Sequence, residues 1–267
     1  MNLKIATWNI NSVRLRAPQV ARLLREYAPD ILCLQETKCP DDQFPLNAFK
    51  NEGYGHIAIN GQKGYNGVAL ISRLELGAVE KRGFCGKGDT RHISARLTGV
   101  PGCPVIHNFY VPAGGDEPDP QVNEKFAHKL DFLDEMENWF ANGGVDDPMI
   151  MVGDLNIAPL PDDVWSHKQL LKVVSHTPVE VDRLQKLQRS GAWVDVMRAQ
   201  IPEPEKLFTW WSYRSRNWRE SNRGRRLDHI WASPDLGGKC TNMQIIDEAR
   251  GWERPSDHAP VLADFEL

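Results

Sequence analysis

Apolar runs of strand length alternate with stretches of helical period along most of the chain. Leu3 to Ile10 reads as a strand, and Pro18 to Tyr27 sets Val20, Leu23, Leu24 and Tyr27 on one face of a helix. Ile31 to Gln35 follows as a buried strand, so the chain opens with a β-α-β unit. Strand patterns recur at His56 to Ile59, Val68 to Ser72, Ile93 to Leu97, Val105 to Tyr110, Ile150 to Gly153, Leu227 to Ala232 and Val261 to Phe265. Asn123 to Ala141 places Phe126, Leu130, Leu133 and Phe140 at helical spacing, which predicts packing against a core, and Val179 to Ser190 predicts a surface helix. Strands outnumber helices, and some connections are of hairpin length. A mixed sheet, or a pair of sheets covered by helices, fits this order better than a purely parallel, doubly wound fold. Nothing in the middle reads as a linker, so residues 1–267 are expected to form one domain.

Composition narrows the class. Hydrophobic residues make up 41% of the chain and charged residues 25%, which excludes a disordered protein. Met1 to Ile10 lacks the regions of a signal peptide and no apolar run reaches membrane-spanning length, so a cytoplasmic protein is expected, a monomer by default. The 5 cysteines are scattered and without Cys-x-x-Cys spacing, which indicates neither a disulfide framework nor a zinc site.

Acidic residues at strand ends change the picture. Gly153-Asp154-Leu155-Asn156 ends one apolar run, Leu34-Gln35-Glu36-Thr37 ends another, and Ser256-Asp257-His258-Ala259-Pro260 lies near the C-terminus. Side chains at such positions can converge at a sheet rim. Carboxylates about 4 Å apart repel by roughly 4 kcal/mol at an effective dielectric of 20, so a cluster of them persists mainly around a cation. Oxygen donors point to magnesium or manganese. Asp228, at the start of an apolar strand, is a candidate partner for the second ring nitrogen of His258.

Together with Thr7-Trp8-Asn9-Ile10-Asn11, Gly64-Tyr65-Asn66-Gly67-Val68-Ala69, Tyr110-Val111-Pro112 and Leu227-Asp228, these motifs resemble, in order, the motif set of the bacterial exonuclease III branch of the endonuclease/exonuclease/phosphatase superfamily. The resemblance runs from Thr7 to Pro260. It implies a four-layered α/β sandwich, with two mixed sheets face to face and helices outside. It also implies a magnesium-dependent DNA-repair nuclease, cutting phosphodiesters 5′ of abasic sites and acting at 3′ ends of duplex DNA as a 3′-to-5′ exonuclease, phosphodiesterase or phosphatase. Carried over by motif, Asp154, held by Asn156, activates or orients water, and Glu36 holds the metal with Asn9 and Asp257 nearby. Asp154 and Asn156 are also candidate ligands of a second ion. His258, oriented by Asp228, contacts the scissile phosphate, and Tyr110 assists at the phosphate or leaving group. By the same resemblance Trp210 walls an abasic-sugar pocket, and Arg91, Lys63 and Tyr65 contact DNA. Ala113 departs from the pattern: many relatives carry Asn or Gln there, whose amide could reach a groove or phosphate, and this leaves the balance of exonuclease and endonuclease activity open.

Thr209 to Arg226 bears on substrate. Trp210, Trp211, Tyr213 and Trp218 are interleaved with Arg214, Arg216 and Arg219, and Arg223, Arg225 and Arg226 follow against the one acid Glu220. The net charge of -4 says little against nucleic acid, because binding depends on one face. Aromatic rings stack on bases or line a sugar pocket, and Arg214, Arg216, Arg223 and Arg225 are candidates for phosphates. A phosphatase acting on inositol phosphates or phosphorylated lipids would share the acidic cluster without requiring this segment. A non-catalytic DNA-binding module would not require the intact acidic set.

Overall fold

Alternate residues of the first strand serve different cores: Leu3 and Ile5 join one, Ala6 and Trp8 another, as the period-two geometry of a strand demands. The computed structural model describes residues 1–143, 148–215 and 217–267. Its strands are β1 (Asn2–Asn9), β2 (Ile31–Gln35), β3 (His56–Asn60), β4 (Val68–Ser72), β5 (Leu76–Glu80), β6 (His92–Leu97), β7 (Val105–Tyr110), β8 (Met149–Asp154), β9 (Val194–Asp195), β10 (Trp210–Trp211), β11 (Gly224–Arg225), β12 (Asp228–Ala232), β13 (Cys240–Ile245) and β14 (Val261–Glu266).

They form two mixed 6-stranded sheets, ordered β13-β14-β1-β2-β4-β3 and β5-β6-β7-β8-β12-β9, and a small ribbon of β10 and β11. Ile5, Ile31, Cys33 and Leu70 of the first sheet meet Ile93, Ile106, Val152 and Ile230 of the second in a shared core, so the sheets pack face to face. The helix Val13–Tyr27 covers the outer face of the first sheet, and Glu124–Ala141 with Pro178–Ser190 covers that of the second. This is the expected four-layered sandwich.

The strands and long helices read from the sequence are present, with shifted ends. The first helix begins at Val13, ahead of Pro18, and bends at Arg16, whose φ of -116° and ψ of 18° leave the helical region. Proline lacks an N–H and crowds the preceding turn, so a helix carrying it inside bends there. The helix Glu124–Ala141 starts beyond Asn123, whose side chain accepts from the Lys125 amide. Edge strands β5 and β13 escaped the sequence reading because neither alternates apolar with polar residues along its length: β5 exposes Ala78 and Val79 beside Glu80, and β13 exposes Thr241, Asn242 and Gln244. All five cysteines are free, and no helix among the described residues is long and apolar enough to cross a membrane.

Candidate active site

Register brings the acidic residues to one rim. In the second sheet Asp154 is the lateral neighbour of Tyr110 on one side and of Asp228 on the other. In the first sheet Asn9 pairs with Gln35, which places Glu36 just past the same rim, and β14 follows His258 closely. Gly153 makes the close approach possible: at φ 139°, a Cβ there would lie 1.9 Å from the Phe109 carbonyl oxygen.

Asp154 is buried and fully engaged. Its carboxylate accepts from Asn9 Nδ2 at 2.8 Å, from the Asn156 amide at 2.9 Å and from Asn156 Nδ2 at 3.2 Å. Burial, working against the nearby His258 cation, pushes its carboxyl up to about 7. Asn9 Nδ2 also donates to Glu36 Oε1 at 3.0 Å, so one nitrogen joins the two carboxylates. Tyr110 donates its hydroxyl to the same Glu36 oxygen at 2.7 Å, and burial followed by the Glu36 charge keeps that phenol protonated far above its ordinary range. Burial alone would raise Glu36, but the Lys38 cation, 2.8 Å from Oε2, and its hydrogen bonds hold it below the usual value.

His258 Nδ1 lies 2.8 Å from Asp228 Oδ2, and its Nε2 lies 3.7 Å from Asp154 Oδ2. Burial disfavours the imidazolium, yet the Asp228 and Asp154 carboxylates outweigh it and push His258 up to about 10. Asp257 accepts from Trp210 Nε1 at 2.9 Å and Asn11 Nδ2 at 3.2 Å. Its carboxyl is held low by the His258 charge and these donors, against burial.

Ligand atoms of Asp154, Asp228 and His258 lie within 4.8 Å of one another, and Asp228 Oδ1 is buried without a partner. The donor set is rich in oxygen, Asp154 is loaded with proton affinity by burial, and Glu36 already attracts a cation in Lys38, so the residues fit a hard divalent ion. Asn9 meets the carboxylates through nitrogen, while its Oδ1 accepts from the Asn11 amide at 3.1 Å. The metal-ligand role expected of Asn9 therefore requires its amide turned over, because only the oxygen can bind a cation.

A cleft of about 820 Å³ opens beside these groups, lined by Glu36, Asn156, Asp257 and His258 and, opposite in chemistry, by Trp165, Trp210, Arg214, Arg223 and Arg225. Arg223 lies over Trp165 at 4.9 Å and Arg225 over Trp210 at 5.3 Å. Arg225 Nη1 donates to Val174 O and Ser175 Oγ and so braces the wall, while the residue lines the cleft. Arg226, counted in the sequence with the positive segment, is wholly buried between Asp163 and Asp195 and adds nothing to the surface charge. Arg216 lies outside the described residues. Arg91 pairs with Asp89 and stacks on Tyr110 at 4.9 Å, while Lys63 and Tyr65 are exposed on a turn outside the cleft lining. Ala113 lines the cleft.

Lys38, Asn11, Trp165 and Ser175 belong to the site, although no role for them was read from the sequence. Lys38 and Asn11 stand inside the Gln-Glu-Thr-Lys and Trp-Asn-Ile-Asn motifs, which was the available signal; Trp165 and Ser175 sit in an irregular stretch that gives none.

The endonuclease/exonuclease/phosphatase family profile matches residues 6–258. The chain is 34% identical over 276 residues to exodeoxyribonuclease III of Haemophilus influenzae, covering 99% of this chain and 100% of that one. An AP endonuclease from Archaeoglobus fulgidus superposes with a TM-score of 0.90 at 35% identity, covering 99% of this chain and 100% of that one. A 3′ phosphatase from Neisseria, bound to a product DNA hairpin, superposes with a TM-score of 0.90 at 33% identity and the same coverage, 99% and 100%.

Proposed function

The chain belongs to the endonuclease/exonuclease/phosphatase family, and from that premise we propose that it is a magnesium-dependent DNA-repair nuclease, hydrolysing phosphodiesters 5′ of abasic sites and at 3′ ends of duplex DNA. The observation that carries this reading is a single cleft with Glu36, Asp257 and His258 on one side and Trp165, Trp210 and arginines on the other. An inositol or lipid phosphatase would share the acidic side without requiring the tryptophans of the second.

Glu36 and Asp257, with the amide oxygen of Asn9, would hold magnesium. Magnesium, when bound, supplies positive charge to the phosphate and the leaving oxygen. Asp154, fixed by Asn9 and Asn156, aligns the attacking water and accepts its proton, a task suited to a carboxyl tuned toward neutral pH. His258 remains protonated and donates from Nε2 to a phosphate oxygen, its ring held at Nδ1 by Asp228. Tyr110 offers its hydroxyl proton to the phosphate or the leaving oxygen. Trp210 walls the seat of the base-free sugar, Arg214 and Arg223 take phosphates, and Arg91, Lys63 and Tyr65 serve the flanking duplex.

The test is a gel assay on duplex DNA carrying one abasic site, with magnesium and with EDTA. Incision on the 5′ side in magnesium, and none in EDTA, is the expected result. An enzyme that leaves the abasic duplex intact but dephosphorylates inositol phosphates would refute the substrate and leave the phosphoesterase chemistry standing.

A further inference from the structure

Behind the cleft wall lies a buried ion pair that the proposed chemistry does not use. Lys129, on the helix Glu124–Ala141, and Glu180, in the first turn of Pro178–Ser190, are both wholly buried, with Lys129 Nζ 2.5 Å from Glu180 Oε1. Lys129 Nζ also donates to Asn156 O at 2.8 Å and Ala113 O at 3.3 Å, so each of its hydrogens has an acceptor. Glu180 accepts from the Ser175 amide at 3.0 Å, the Thr177 amide at 3.2 Å and the Thr177 hydroxyl at 2.6 Å. Apolar residues of the same volume often stabilise such a position as well as an ion pair does, so its presence calls for another reason.

The two ends of the pair supply one. Asn156 closes the turn that carries Asp154, and Ser175, held at φ 88°, is part of the cleft wall. Ser175 Oγ accepts from Arg225, Arg225 lies over Trp210, and Trp210 Nε1 donates to Asp257, the neighbour of His258. The chain of contacts closes where His258 Nε2 lies 3.7 Å from Asp154 Oδ2, and the ion pair joins its two ends from behind the cleft lining. Gly114 is moulded on the same lysine: at φ 90°, a Cβ there would lie 2.9 Å from Lys129 Cδ.

We propose that Lys129 and Glu180 are positioning residues that fix the wall of Val174 and Ser175 against the turn of Asp154 and Asn156, and so set the seat for the sugar beside the scissile phosphate. The assignment rests on the nuclease reading above. By hydrogen bonds the pair reaches the acidic cluster through the Asn156 main chain, and the Lys129 charge that Asp154 also feels is balanced by Glu180, so the pair governs substrate seating and not cation affinity.

Lys129→Met combined with Glu180→Gln removes both charges at nearly constant side-chain length. Ser175→Ala loosens the wall from the cleft side and strands no buried charge. Each variant is compared with wild type at a temperature where circular dichroism finds it folded, for cleavage of abasic duplex in magnesium and for Mn2+ binding by calorimetry. The expected result is a loss of roughly tenfold or more in kcat/KM for the double variant and about threefold for Ser175→Ala, with Mn2+ affinity kept within about twofold. Unchanged cleavage, or Mn2+ affinity that falls by the same factor as cleavage, overturns the assignment. Should the double variant not fold, Thr177→Ala, which takes the hydroxyl donor from Glu180 and leaves the cleft-facing side chains in place, decides on the same two readouts. Wild-type protein that binds Mn2+ yet leaves abasic duplex uncut would defeat the nuclease reading instead.

Discussion

Asp154 carries a carboxyl pushed up to about 7, chiefly by burial and against the pull of His258, so its ionised form is disfavoured in the folded, metal-free protein. The stability of that protein linked to Asp154 is full below the ordinary carboxylate value of 3.8 and is lost as pH rises through about 7. Asp154→Asn should therefore melt at an equal or higher temperature than wild type above neutral pH, while its turnover in magnesium falls by roughly a thousandfold or more, the scale of a central catalytic group. Calorimetry and single-turnover cleavage measure the two; a variant with less than a tenth of that loss would remove Asp154 from the chemistry. Asp228→Asn makes the opposite kind of test. His258 is pushed up to about 10 with Asp228 the largest favourable charge, and the stability it contributes is full below 6.5 and lost as pH rises through about 10. Without that carboxylate the imidazole should titrate well below 10, which NMR of the ring protons in metal-free protein can follow, and the alkaline limb of activity should move down with it. The acidic residues at strand ends were legible in the sequence because a strand buried on both faces leaves its last residues at a rim. The burial of Arg226 was not, since the alternation of inward and outward side chains at the end of β11 depends on a ribbon only two residues per strand long.

Short neighbouring elements hold that ribbon in place through charge. Asp163 sits between Arg226, whose Nε is 2.8 Å from Oδ1, and Arg198, whose Nη2 is 2.6 Å from it, while Arg226 Nη1 reaches Asp195 in β9 at 2.6 Å. Burial alone would raise the Asp163 carboxyl, but Arg226 and then Arg198 hold it below its ordinary value of 3.8. The contribution to stability is accordingly present above pH 3.8 and is lost as pH falls through the lower folded value. Asp163→Asn should cost roughly 3 to 5 kcal/mol near neutral pH, because it leaves the Arg198 guanidinium without a carboxylate and the buried Arg226 with Asp195 alone, and the gap to wild type should narrow in acid. Urea titrations at neutral pH and below 3.8 compare the two; a constant gap would mean that the carboxylate charge is not what holds the segment. The long helices and central strands could be read in advance because each repeats its apolar period over enough residues to exceed chance. The irregular stretch over residues 158–177, which brings Trp165 and Ser175 to the cleft, has no period to read and is placed by tertiary contacts such as the Ala158 amide on Ser175 O.

At the scale of the whole molecule, a chain of net charge -4 must meet a polyanion, and its long-range field does not help. Attraction has to come from the cleft, where the guanidinium groups of Arg214 and Arg223 stand at the surface, Arg225 lines the wall with one nitrogen held by the protein, and Arg226 is spent on the protein itself. The salt dependence of binding should reflect that division. Replacing Arg214 and Arg223 together by alanine should reduce the slope of log affinity against log salt by about 0.9 for each phosphate no longer engaged, whereas Arg226→Met should lower stability and leave the slope of the folded fraction unchanged. Trp210→Ala should separate shape from charge. It removes a wall of the sugar seat and the donor to Asp257, so cleavage at an abasic site should fall further than cleavage at an undamaged 3′ end, at an unaltered salt slope. Fluorescence-anisotropy titrations across salt concentrations, run beside cleavage assays on both substrates, measure slope and cleavage separately. A slope that survives replacement of both exposed arginines would place the phosphate-binding groups elsewhere on the surface, with the turn of Lys63 and Tyr65 next to be tested.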